Sequence, residues 1–216
     1  MSDPHSPESA AQLYDAIGET YEAAFGQQPG LTRVLDALVR ALPLGVRVLD
    51  LGSGTGRPVA ATLAAGGHAV TGYDVSERMV NFARAHVPDA RFEVGDMRSL
   101  SFGEGSWDAA LTVFSLLQLP HADQLQMLER ISQWLAPGGY FLAATVPHPA
   151  GCGGRESDWM GHRVRTYSFT ALALKEHVAA AGLQVLHEEV VSFVPASDEA
   201  DAEEQVYLIA RKPDVA

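Results

Sequence analysis

Residues 46–56 read Val46-Arg47-Val48-Leu49-Asp50-Leu51-Gly52-Ser53-Gly54-Thr55-Gly56, an apolar run that meets an acid and then breaks into alternating glycines. A short β-branched and apolar run followed at once by glycines is a buried parallel strand whose carboxyl end turns sharply into a helix. Glycine permits positive φ and removes the Cβ, so a ligand is expected to dock over residues 52–56, against main-chain N–H groups at a helix N-terminus. A dinucleotide fingerprint is spaced G-x-G-x-x-G, whereas this loop is G-x-G-x-G followed by Arg57. A phosphate-loop ending of Gly-Lys-Ser/Thr is absent.

How much sheet such a strand can belong to depends on length. With 216 residues and 47% apolar content, the chain is expected to form one domain around one sizeable core, spanning residues 1–216. Its single cysteine, Cys152, excludes an internal disulfide framework and fits a reducing compartment. Residues 1–8 carry no basic-then-apolar pattern and no apolar run is long enough to span a bilayer, so a cytoplasmic protein without membrane insertion is expected. A net charge of −12 with no basic stripe argues against nucleic acid and leaves a small molecule as the expected partner; nothing speaks to oligomeric state.

Residues 1–8 are polar and proline-interrupted and read as a flexible arm. Residues 9–42 read as a helical lid, a first helix with Leu13, Tyr14, Ile17, Tyr21 and Phe25 on one face, capped by Ser9, then a second ended by Pro43 and Gly45. A helix after the glycines leads to a second strand ending at Asp74, about twenty residues beyond the loop, where a carboxylate receives ribose hydroxyls. Ser76 is the better cap for the helix that follows. A third strand ends in Gly95-Asp96-Met97, so Asp50, Asp74 and Asp96 all fall at strand ends, the edge where open α/β sheets bind ligands. A fourth strand over residues 107–114 and a fifth over 140–146 complete an alternating pattern that calls for right-handed parallel crossovers. Residues 147–167 dissolve into turns with aromatic, His and Arg residues and read as an irregular substrate loop. Two late strands with no helix between them pair antiparallel, and the acidic segment 197–204 between them reads as a solvated loop.

Taken together, V-L-D-L-G-S-G-T-G, Y-D-V-S-E-R-M, G-D-M and L-A-P-G-G resemble the class I S-adenosylmethionine-dependent methyltransferases, over roughly residues 14–212. The resemblance implies a Rossmann-like α/β doubly wound sheet of seven strands, mostly parallel, helices on both faces, with its last strand antiparallel between its neighbours. It implies S-adenosylmethionine as cofactor, with Gly52, Ser53 and Gly54 near the methionine part, Asp74, Val75 and Met79 around the ribose, and Asp96 with Met97 at the adenine. Phe114 and Ser115 would line the cofactor at the end of the fourth strand, and Tyr14 and Tyr21 would touch it from the N-terminal helix. The branch it most resembles methylates small molecules, including quinones and secondary metabolites. Many relatives carry a histidine where Gln118 stands, and an amide offers no acid–base chemistry near neutral pH.

The implied chemistry is in-line displacement, in which an O, N or C nucleophile attacks a sulfonium methyl; holding both reactants at attack distance supplies much of the acceleration. Should the acceptor lose a proton, His148 is the first candidate to take it, because it follows the fifth strand at the ligand edge. His121, His162, Arg155, Arg163 and Tyr167 are weaker candidates, either arginine suiting an acidic acceptor. Cys152 lies away from any cysteine–proline nucleophile motif, and its spacing from His148 and His162 matches no zinc pattern, so no metal is expected. The competing readings are a nicotinamide-dependent oxidoreductase and a non-catalytic S-adenosylmethionine-binding protein.

Overall fold

A computed structural model describes residues 9–148, 154–197 and 199–214. The arm expected over residues 1–8, and Cys152, lie outside the described residues. In chain order the elements are α1 (Ala10–Ile17), α2 (Glu19–Phe25), α3 (Pro29–Ala41), β1 (Arg47–Leu51), α4 (Val59–Ala65), β2 (Ala69–Asp74), α5 (Glu77–His86), β3 (Arg91–Val94), β4 (Trp107–Val113), α6 (His121–Trp134), β5 (Leu135–Thr145), β6 (Arg155–Trp159), β7 (His162–Thr166), α7 (Ala171–Ala180), β8 (Gln184–Phe193) and β9 (Glu203–Arg211).

Seven strands form one sheet in the order β3-β2-β1-β4-β5-β9-β8. β1 to β5 are parallel, and β9 runs antiparallel to β5 on one side and β8 on the other, as expected. The chain winds outwards in both directions from the β1/β4 pair, so the order reverses beside β1, and crevices at such a point bind ligands. The apolar runs explain the centre. Val48, Leu49, Leu51, Ala109, Ala110 and Leu111 are completely buried because helices cover both faces. Leu35, Leu38 and Leu63 pack on one face and Met127, Leu128 and Ile131 on the other.

Three expectations change. The first helix is two, because Gly18 takes φ 51° and ψ −130° and breaks it into α1 and α2. Ser9 does cap α1, reciprocally with Gln12. Residues 155–166, read as irregular, form an antiparallel hairpin, β6 with β7. Its two-residue turn is Met160-Gly161 at φ 51° and 76°, the positive-φ pair that suits the twist of a tight hairpin. Methionine is an unusual choice there; its side chain is buried against Leu13 and Phe25 and its N–H donates to the Glu199 carbonyl at 3.0 Å, so tertiary contacts hold a turn that local sequence does not announce. Finally, the acidic segment is not all loop. Glu203 and Glu204 begin β9, opposite Phe193 and Ser192.

Candidate functional site

The glycine turn after β1 is built from inside. Gly52, Gly54 and Gly56 have φ of 79°, 51° and 78°, which only glycine adopts freely. A Cβ on Gly52 would stand 2.3 Å from the Ser115 Cβ, so the close approach of this turn to the end of β4 also requires glycine. The expectation that the loop offers its N–H groups to a ligand is corrected. Gly52 and Ser53 N–H both donate to the Tyr73 carbonyl at 2.7 and 3.0 Å, Gly54 N–H donates to Asp74 Oδ2 at 2.9 Å, and Gly56 N–H to the Ser53 carbonyl at 2.9 Å. The glycines therefore shape a surface; they do not form an anion nest.

Asp74 ties that surface together. Its Oδ1 accepts the Ser76 N–H at 2.9 Å while Ser76 Oγ caps α5 by accepting the Met79 N–H at 3.0 Å. Burial raises the Asp74 carboxyl above its ordinary range, opposed by the Ser76 and Gly54 N–H groups. A carboxylate has about four lone-pair sites, so two N–H donors leave room for hydroxyls of a ligand. Asp50, one strand in, is 1% exposed, and burial followed by the charge of Asp74 pushes its carboxyl up to about 7. Asp50 Oδ2 and Ser53 Oγ are buried and have no hydrogen-bond partner within the protein.

Above the loop lies a cavity of about 270 Å³. Tyr14, Tyr21, Gly52, Gly54, Asp74, Val75, Met79, Asp96, Met97, Phe114 and Ser115 all line it, so the sequence-chosen residues converge on one space. Ser53 is the exception and faces a small cavity of about 50 Å³ behind the loop, with Asp50 and Arg57. Ser115 Oγ is used locally, donating to the Leu51 carbonyl at 2.6 Å. Asp96 is gripped by Arg98, whose guanidinium holds its carboxyl below the ordinary range. α1 closes one side of this space because Ser76 Oγ donates to Asp15 and Arg78 donates to the Asp15 carbonyl at 2.7 Å.

A second cavity, about 310 Å³, opens between α1, α2, the β6–β7 hairpin and the start of β9. His148 lines it, and so does Arg155; His121, His162, Arg163 and Tyr167 do not. His121 stacks on Phe169 with centroids 4.1 Å apart, and Arg163 pairs with Glu156 at 3.1 Å. Sequence reasoning missed Trp159 and Glu203, both on the wall. The signal that could have found Glu203 was the alternation Glu203, Gln205, Tyr207, which places three polar side chains on one face of a strand.

The two cavities share Tyr14, Tyr21, Phe114 and Gln118. Burial, then the charge of Asp74, pushes the Tyr14 hydroxyl above the ordinary phenol range, opposed by the Gln118 side chain. Phe114 sits at φ 53°, a strained position for an aromatic residue, and its N–H is held by the Ala144 carbonyl at 2.8 Å.

Comparison with known proteins gives concordant results. Residues 48–139 match a family model described as a methyltransferase domain. The chain is 29% identical over 218 residues to the 27-O-demethylrifamycin SV methyltransferase of Amycolatopsis mediterranei, covering 87% of this chain and 78% of that protein. It is 31% identical over 150 residues to the demethylmenaquinone methyltransferase of Renibacterium salmoninarum, covering 66% of this chain and 61% of the relative. The crystal structure of a Burkholderia thailandensis 1,6-didemethyltoxoflavin-N1-methyltransferase with bound 1,6-didemethyltoxoflavin and S-adenosylhomocysteine superposes with a TM-score of 0.64 at 24% identity, over 99% of this chain and 98% of that one.

Proposed function

We propose that the chain is a class I S-adenosylmethionine-dependent methyltransferase acting on small molecules, with the donor in the 270 Å³ cavity and the acceptor in the 310 Å³ cavity. The observation that carries this reading is that the N–H groups of Gly52, Ser53, Gly54 and Gly56 are already taken up within the protein. The loop therefore suits a ligand without phosphates, unlike a pyrophosphate-bearing dinucleotide.

The residues present fit S-adenosylmethionine. Asp50 Oδ2 and Ser53 Oγ lack partners beside the loop, where the ammonium and carboxylate of a methionine end would supply them. Asp74 would receive the ribose hydroxyls with Val75 and Met79 beside it, and Asp96 with Met97 would meet the adenine. The bound donor supplies an electrophilic methyl group on a sulfonium. Tyr14, Phe114 and Gln118 stand at the passage between the cavities, where they would orient the two reactants and exclude water. His148 is within the acceptor cavity and would take a proton from an acceptor that must lose one. Residues 9–42 would serve as the lid and residues 147–167 as the acceptor-selecting segment of a single domain.

The acidic charge of −12 supports a small-molecule partner over nucleic acid. Among the described residues no helix is long and apolar enough to cross a membrane, which supports the cytoplasmic assignment. The test is transfer of a labelled methyl group to a panel of quinols, phenols and aromatic amines. Label in the extracted organic products is expected; a protein that binds the donor and labels none of them would instead fit a non-catalytic binding protein.

A further inference from the structure

Glu203 stands half-buried on the wall of the 310 Å³ cavity, at the first residue of β9. Its surroundings are fixed by the strand. Residues 203, 205 and 207 share one face, and Tyr207, fully buried, donates its hydroxyl to Gln205 Oε1. That bond commits the other end of the Gln205 amide, and Gln205 Nε2 accordingly donates to Glu203 Oε1 at 2.9 Å. Gln205 is itself 1% exposed, so the half-buried Glu203 carboxyl is tethered by a buried partner.

One neutral donor is little compensation for a carboxylate removed from water. Among the described residues no lysine or arginine forms an ion pair with Glu203, and Gln205 is the only group that favours its charged form, whereas burial raises it. Its charge, like burial, disfavours ionisation of the nearby phenols of Tyr14, Tyr21 and Tyr207, so none of them supplies a counter-charge. A buried carboxylate without a counter-charge is costly, and natural proteins keep such a group where a ligand supplies the missing partner.

The remainder of the wall favours the same kind of ligand. Tyr21, Phe25 and Trp159 form a contiguous aromatic surface, with centroid separations of 5.2 Å between Tyr21 and Phe25 and 5.5 Å between Phe25 and Trp159. Such faces hold flat apolar rings and also attract cations. The other charged groups lining the cavity are Asp158, Asp201 and Arg155, all exposed at its rim, together with His148. Among the described residues the one guanidinium on the lining, that of Arg155, is exposed, whereas the Glu203 carboxylate is half-buried.

We propose that Glu203 is the counter-charge for a basic nitrogen carried by the acceptor, so that the acceptor is an aromatic or planar amine whose ring lies on Tyr21, Phe25 and Trp159. This rests on the reading of the 310 Å³ cavity as the acceptor site.

The experiment uses tryptamine, tryptophol and indoleacetate, which share a ring system and differ in charge, titrated calorimetrically into the protein saturated with S-adenosylhomocysteine. Tryptamine is expected to bind at least about tenfold more tightly than tryptophol, with indoleacetate weakest. Glu203→Gln should remove that preference while leaving S-adenosylhomocysteine affinity unchanged, and Glu203→Asp, which retains the charge, should keep most of it. Equal binding of the amine and the alcohol, no binding of the amine, or a preference that survives in Glu203→Gln overturns the inference. Failure of the wild-type protein to bind S-adenosylhomocysteine would strike the donor assignment instead, and so the two failures are distinguishable.

Discussion

The donor side and the acceptor side of this molecule are built on different principles. The proposed donor cavity has its floor at the ends of β1, β2, β3 and β4 and the turns that follow them, short contiguous motifs fixed by the sheet, with Tyr14 and Tyr21 of α1 and α2 closing one side. The acceptor cavity draws its wall from α1 and α2, a separate hairpin and the start of β9, segments that lie up to about 190 residues apart. A floor made of strand ends inherits the rigidity of the core, whereas the helices and hairpin on the other side are appended to the sheet and meet it at the start of β9. The cluster of Leu13, Phe25, Met160, Val164 and Phe193 that joins those appended elements is separate from both core layers.

The sharpest way to break this contrast is at Gly52. An alanine there must accept φ 79° and a Cβ 2.3 Å from Ser115, so Gly52→Ala should cost roughly 2–5 kcal/mol in a denaturant melt and abolish donor binding. A variant of wild-type stability would mean the loop is softer than the donor side is held to be. Asp74→Ala comes next, with S-adenosylhomocysteine affinity expected to fall by roughly 10- to 100-fold as charged hydrogen bonds are lost. Trp159→Ala tests the opposite side: methyl transfer should fall roughly tenfold through loss of ring contact, while donor affinity changes by less than about twofold. Equal losses in both measurements would merge the two sides into one unit.

A pH-dependent effect on stability concerns Asp50. A carboxyl raised to about 7 in the fold keeps its proton where the unfolded chain, with an ordinary value near 4, has released it. The folded state binds more protons over that interval, so this group subtracts stability as pH rises from about 4 to 7 and the loss is complete above 7. Asp50→Asn should therefore melt higher than wild type at pH 8, with the gap narrowing as pH falls toward 4. A gap independent of pH would show that Asp50 is not buried as a proton-holding acid.

The same contrast explains what was legible in the sequence. The alternating parallel sheet and the acids at three successive strand ends follow from local signals, apolar runs and glycines at a strand end, whereas the place of the last strand and the remaining residues of the proposed donor cavity follow from the family resemblance. Even there, the N–H groups of the loop were misread as open to the ligand, because the partners that fill them, the Tyr73 carbonyl and Asp74, lie about twenty residues on. The hairpin was invisible because Met160 occupies a turn position that favours Asn or Gly, and it is held there by contacts with Leu13, Phe25 and Glu199. Glu203 was read as solvated because its neighbours in sequence are acidic; what buries it are Gln205, Tyr207 and a hairpin some forty residues earlier.

As proposed, the glycine-loop cavity takes a phosphate-free donor anchored by Asp74. Calorimetric titration of wild type and Asp74→Ala with S-adenosylhomocysteine and with NAD tests it most directly. One site per chain for S-adenosylhomocysteine, weakened at least tenfold in Asp74→Ala, with no heat from NAD, is the predicted result. Comparable binding of NAD, or an affinity for S-adenosylhomocysteine indifferent to Asp74, would contradict the account.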